Sequence, residues 1–414
     1  MLPMSRGVFC LLFRPKNGFY GYTAQSGFSL SVPGHLLLTA LLLCIMLTGC
    51  AGQQRAHLRA LSPEELSLRA QSGNARAQGV LAAVVLENAQ ATENDYAAAL
   101  HLAEPLAKRN SPDGLYALGL AYLYGRGAAK DCREAVDLLS RASAAGNPWA
   151  DYRLGRCYDL GDCLPRDMVK AVAAYTIAAK AGVADAQYNL AVAFSQGDGV
   201  PRDDAEAVYW YGKAAEQNHP RALFNLATRY AAGKGVNKDE ARAVALYHKS
   251  AELGLPEAAH TLAGLYAHGV GTPQNGPEAI RWYTRAAEQG QVSSMLALGH
   301  IYQGGELTDK NIALALFWYE QAATAGNAEA NFSLGVIYDQ GDGVKRNYRQ
   351  AVHYYQAAAE AGHPEAAYNL ALCYAAGQGL ALDHAKALYW AKISQKRGVP
   401  RADELINKLM RGGR

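Results

Sequence analysis

Ala186-Gln187-Tyr188-Asn189-Leu190-Ala191-Val192-Ala193-Phe194 runs into Gly197-Asp198-Gly199-Val200-Pro201, and the chain then continues through Ala207-Val208-Tyr209-Trp210-Tyr211-Gly212-Lys213-Ala214-Ala215. In the first stretch the apolar residues fall at 186, 190, 193 and 194. That spacing predicts a helix with one buried stripe. Glycine accepts the positive φ needed to leave a helix, and Pro201 cannot prolong one. The second stretch places Ala207, Val208, Trp210, Tyr211, Ala214 and Ala215 three and four apart, which predicts a second helix closing at Asn218.

The same unit returns every 36 residues, eight times, without insertion or deletion. Its register is marked by Leu118, Leu154, Leu190, Leu226, Leu262, Leu298, Leu334 and Leu370, each followed by Gly or Ala, with an aromatic four residues after the Leu. The first turn glycine, Gly125 to Gly377, is present in every copy. So is an alanine early in the second helix, from Ala135 to Ala387, which lets neighbouring helices approach closely. Units that cannot bury a face alone must stack, so the chain is predicted to be all-α and continuous.

The pattern Ala-x-x-x-Leu-Gly/Ala-x-x-Tyr-x-x-Gly-x-Gly-Val, then Ala-x-x-Trp-Tyr-x-x-Ala-Ala-x-x-Gly, resembles the Sel-1-like repeat family, a relative of the tetratricopeptide repeats. The resemblance implies a right-handed αα superhelix (solenoid), a role in protein binding, and first helices lining a groove where partners dock. Three places depart from the pattern: Cys163 and Leu307 stand where the second turn glycine is expected, and Ser394-Gln395 ends the last unit.

Residues 111–398 are read as the eight repeats. Residues 62–110 are read as a capping helix over 63–71, started by Ser62-Pro63-Glu64-Glu65, and a degenerate unit over 75–110. Residues 399–414 are read as a C-terminal capping helix. At the front, Leu36 to Leu47 is an apolar run too short to span a membrane and suited to a signal-peptide core. It ends in Leu47-Thr48-Gly49-Cys50, which resembles a bacterial lipobox. Residues 1–49 are therefore expected to be a signal peptide, Cys50 a lipidated residue, and 50–61 a polar tether. Ala51 after the cysteine implies, by the same resemblance, the outer membrane of a Gram-negative bacterium, facing the periplasm. Arg6, Arg14 and Lys16 lie far from the apolar run, so the start is read as placed too far upstream.

Net charge is +3, with 40 basic residues interleaved among 37 acidic ones, and no basic stripe points to nucleic acid. There is no Gly-x-Ser-x-Gly, P-loop, His-Glu-x-x-His or Cys-x-x-Cys motif, so no catalysis, cofactor, metal or small-molecule substrate is expected. Asp198 and Asp342 are read as solvated turn residues. Cys157 and Cys373 share a repeat position held elsewhere by Ala193, Ile301 or Ile337, a small core slot. Cys132 could pair with Cys163, or Cys157 with Cys163, and sequence leaves both open.

Residues that break the repeat supply the binding candidates. Trp149, Arg153 and Arg156 are exceptions in three first-helix columns and are spaced i, i+4, i+7, hence on one helix face. Trp and Arg dominate binding hot spots, so this stripe is expected to recognise an acidic or extended segment. The alternative is packing against the degenerate units, with the arginines paired to Asp151 or Asp159. Asn189, Asn225 and Asn369 offer amides elsewhere in the groove.

The function expected is a non-catalytic scaffold docking other envelope proteins or peptides, in an exopolysaccharide or other envelope assembly complex; it resembles the lipid-anchored scaffolds of alginate secretion. A surface-exposed binder of a host protein is the alternative. A cell-wall-acting or carbohydrate-binding protein would need aromatic platforms that Trp149 alone does not provide.

Overall fold

The computed structural model describes residues 54–412, and these form helices joined by short turns. Residues 54–59 are helical (α1). They are followed by α2 (Pro63–Gln71), α3 (Ala75–Glu87) and α4 (Glu93–Lys108). Eight helix pairs come next: α5 (Pro112–Tyr124) with α6 (Cys132–Ala144), α7 (Pro148–Leu160) with α8 (Met168–Lys180), α9 (Ala184–Gln196) with α10 (Asp204–Glu216), and α11 (Pro220–Ala232) with α12 (Glu240–Glu252). The series continues with α13 (Pro256–His268) and α14 (Gly276–Glu288), α15 (Val292–Gly304) and α16 (Ile312–Thr324), α17 (Ala328–Gln340) and α18 (Tyr348–Glu360), and α19 (Pro364–Ala376) and α20 (His384–Lys396). α21 (Arg401–Gly412) packs on α20 and closes the stack.

Each repeat helix has 13 residues, a length at which an isolated helix is marginal in water. Tertiary packing supplies the missing stability. The alanines 135, 171, 207, 243, 279, 315, 351 and 387 are all within 1% of complete burial, so the second helices seat directly on their neighbours. Leu190, Leu262, Leu298, Leu334 and Leu370 are equally buried, each worth roughly 1.5–3 kcal/mol. Tyr175, Tyr211, Tyr247, Tyr283, Tyr319 and Tyr355 occupy one column of the second helices and are buried.

Each second helix starts on an Asp or Asn N-cap, Asp131 through Asp383. Its side chain accepts backbone N–H bonds of the first turn, and its own N–H donates to the carbonyl of the recurring aromatic, as from Asp203 to Phe194 at 2.9 Å. Asn218 takes the left-handed conformation, φ 61°, at the end of its unit.

The second turn glycine is explained by what it faces. A Cβ on Gly235 would overlap the carbonyl of Asp204, the first residue of the preceding second helix, and one on Gly379 would overlap that of Tyr348. Both departures from glycine are matched across this contact. Cys163 keeps a positive φ of 65° and is disulfide-bonded to Cys132, the first residue of α6, with S–S 1.97 Å. Leu307 lies opposite Gly276, the first residue of α14, where a Cβ would come within 2.6 Å of the Leu307 carbonyl. The bare backbone has moved from the turn to the helix. Of the two disulfide pairings considered, the structure contains Cys132–Cys163, while Cys157 is a free, buried thiol, as is Cys373.

This contact predicts a coupled pair. Gly276→Ala alone should lower stability by about 2–3 kcal/mol, the cost of backbone overlap in a packed site. In a Leu307→Gly background the turn can take the positive φ that Gly235 and Gly379 hold opposite the side-chain-bearing Asp204 and Tyr348, so most of that loss should disappear. Chemical denaturation of the four proteins in the cycle tests this, and strictly additive losses would show that the two positions are independent.

Candidate functional site

The first helices α5 to α19 present one continuous face, and its character changes along the stack. At the N-terminal end it is covered from within. α1 contributes Arg55, 4% exposed, whose Nε donates to Asp113 Oδ1 at 2.6 Å and whose Nη1 donates to the Gly146 carbonyl at 3.1 Å. Asn147 Nδ2 donates to the same Asp113 oxygen at 3.1 Å. Leu58 is buried beside Leu66 and Val80. Arg59 donates to both oxygens of Glu87, at 2.9 and 3.2 Å, and lies over the Trp149 ring at 4.1 Å. The expectation of a tether over 50–61 is therefore corrected for its described part: Arg55 and Leu58 dock these residues on the body. Arg55 and Arg59 sit i, i+4 with Leu58 between them, but so short a segment shows no convincing period in sequence.

The Trp149–Arg153–Arg156 stripe needs the same correction. The three do share a face of α7, but Arg59 roofs Trp149. Arg153 is held by Glu87 at 3.0 Å, by the Tyr116 hydroxyl at 3.3 Å and by the Tyr124 hydroxyl at 2.9 Å. Neither Asp151 nor Asp159 pairs with the arginines; they accept from Ser143 and Tyr175 instead. Arg156 alone keeps one side free, touching the Tyr152 hydroxyl at 3.4 Å. Trp149 and Arg153 break their columns because their neighbours are α1 and the end of α3.

Glu87 is the centre of this cluster. Burial pushes its carboxyl up, but the guanidinium groups of Arg59 and Arg153 and the Tyr116 hydroxyl outweigh that and hold it at about 2. Burial disfavours charge on Arg153 as well, and Tyr116, Glu87 and Tyr124 more than compensate, so it stays ionised.

Asn225 Nδ2 donates to the Tyr211 hydroxyl at 3.1 Å, and Asn189 and Asn369 are half-buried. Asn225 thus ties α11 to the tyrosine column. Further along, the face is open. The side chains of Asp185, Glu329 and Glu365 are nearly half exposed, Thr228 is exposed, and Leu372 is 39% exposed. His219 and His363 recur in equivalent places. Each accepts a backbone N–H at Nδ1; this leaves Nε2 of His363 to donate to Glu329 at 2.9 Å, and Nε2 of His219 faces Asp185 at 3.5 Å. Cys50 and the expected signal peptide lie outside the described residues. Among the described residues no helix is long and apolar enough to cross a membrane, and the cluster Cys132, Asp162 and Cys163 has its sulfurs consumed in the disulfide.

Sel1 repeats are matched at residues 112–147, 150–183, 184–219, 220–255, 256–291, 292–327, 328–363 and 364–398. The chain belongs to the Sel1 repeat family. Sel1 repeat proteins are typically protein-interaction scaffolds and generally not catalysts. Two solved structures share the solenoid. One is c5321, a protective antigen of uropathogenic Escherichia coli with an SLR fold: 28% identity, 85% of this chain and 83% of that one covered, TM-score 0.62. The other is a Sel1 repeat protein from Oxalobacter formigenes: 26% identity, 75% and 90% covered, TM-score 0.59. No curated protein sequence matches the chain. The Sel1 matches begin at 112, so α1 to α4, including Arg59 and Glu87, lie outside the matched repeats.

Glu87→Gln should lower stability by about 3–5 kcal/mol, because it strands two largely buried guanidinium groups. The acid dependence has a definite sign. Glu87 is depressed from 4.5 to about 2, so its stabilising effect is complete above pH 4.5 and is lost as pH falls toward 2. Hydrogen-exchange protection at residues 54–71, taken relative to the intrinsic rate at each pH, should fall across that window in the wild type and be low at neutral pH in the variant. Unchanged protection in the variant would show that Glu87 does not hold α1.

Proposed function

We propose that this chain is a non-catalytic docking scaffold of the Gram-negative envelope, held by lipid on Cys50 at the outer membrane and facing the periplasm. There it gathers partner proteins of an exopolysaccharide or other secretion or assembly complex. The observation that carries this is the pairing of Leu47-Thr48-Gly49-Cys50 with a solenoid whose first-helix face is covered at one end by α1 and open further along. Buried Arg55 is five residue steps from Cys50, a span of at most roughly 18 Å. A lipid at Cys50 would keep the covered end of the stack beside the bilayer and leave the open repeats for partners. A second reading, a surface-displayed binder of a host protein, draws on the similarity to c5321, a protective antigen.

Cys50→Ala should move the protein from the membrane to the soluble fraction and abolish labelling by a fatty-acid precursor. Persistent labelling would sink the lipid anchor. A photo-crosslinker placed on the open face, at Thr228 or Leu372, should yield one dominant envelope protein. Absence of any adduct from both positions would count against the scaffold, and protease sensitivity on intact cells would favour surface display.

A further inference from the structure

One first-helix column is apolar in every repeat but one. It reads Ala121, Cys157, Ala193, Arg229, Leu265, Ile301, Ile337 and Cys373. Most of these residues fill the core, yet Arg229 stands in the same place with its side chain 13% exposed. It turns toward Asp204 at the start of α10 and toward Ser195 on α9. A charge set into a core column carries a desolvation cost that an aliphatic residue would avoid.

Arg229 forms one wall of a trough of about 450 Å³ between α9 and α11. Tyr188, Val192 and Tyr211 give it an apolar floor tipped with hydroxyls. Ser195, Asn225 and Thr228 add neutral polar groups, and Arg202, Arg229 and Lys234 line it as cations. No carboxylate lines it. Asp204, outside the lining, is shared by Arg202 at 2.7 Å and by Arg229, so one carboxylate answers two of the three cations and Lys234 has no paired anion among the described residues. Lys234 is exposed, and Arg202, more than half exposed, can turn the rest of its guanidinium to a ligand while holding Asp204.

We propose that this trough is a docking site for an acidic peptide segment of a partner protein: a carboxylate side chain held by Arg202 and Lys234, with an adjacent apolar side chain on Tyr188, Val192 and Tyr211. Charge complementarity selects this occupant. The chain's own basic helix α1, with Arg55 and Arg59, satisfies acidic Asp113 and Glu87 at the other end of the face and would be repelled here. Bidentate pairing makes an arginine suited to a carboxylate, and the Val–Tyr floor suits a protein segment better than a bare phosphate.

The site rests on the scaffold reading, so its test must separate the two. Selection from a random peptide library on the purified repeats should enrich Asp or Glu next to an apolar residue. Binding of a selected peptide should weaken at least about tenfold in Arg202→Gln/Lys234→Gln, with melting temperature unchanged. It should survive exchange of chloride for inorganic phosphate at equal ionic strength. Peptides without acidic residues, undiminished binding to the double variant, or full displacement by phosphate would each overturn the proposal. The crosslink from Leu372, outside the trough, tells the failures apart. If it persists while peptide selection fails, only the trough is wrong; loss of both removes the scaffold as well.

Discussion

The stack depends on how closely the turn of each repeat approaches the first residue of the preceding second helix. Two backbones meet there without room for a Cβ, as Gly235 and Gly379 illustrate. Hydrophobic burial gives each interface its energy, but this contact fixes the distance and rotation at which one unit is laid on the last. Around it the remaining pieces fall into register: the Asp or Asn N-cap, the bond to the aromatic carbonyl, and ion pairs such as Arg166–Asp198 and Lys310–Asp342 between turns of successive units. Those two aspartates therefore act as links in a chain of turns.

The repeat array was legible because its requirements recur. Eight alanines and eight first-turn glycines cannot coincide in one register unless one geometry demands them. Cys163 and Leu307 were visible as exceptions, but their resolution lay 31 residues upstream in each case, at Cys132 and Gly276. The candidate site was less legible. A column shows that Trp149 and Arg153 depart from the repeat; it does not show what they face. Their partners, Arg59 and Glu87, belong to segments outside the 36-residue register, where periodicity carries no information. Arg229 could have been found, since it alone breaks an apolar column. Its local helix otherwise resembles its neighbours, and its partners Ser195 and Asp204 come from two other helices.

α1 and the trough divide the first-helix face into regions of different chemistry. The first is closed with acidic groups inward, compensated by arginines of the same chain. The second is open, basic and floored by aromatic rings. Family membership accounts for the length and continuity of the face. The local chemistry of the face is set by a few residues that violate the repeat and by the helices laid in front of it.

Tandem repeats are commonly taken to be interchangeable, so that a gene can gain or shed whole copies by slippage without harm. At two joints here that freedom is restricted. A recombination event falling between Cys132 and Cys163 would leave each sulfur opposite an unrelated residue. One falling between Gly276 and Leu307 would set a leucine turn against a helix start that bears a side chain. Matched pairs of this kind give the array an order as well as a period, and they mark where its copy number can drift and where it is locked.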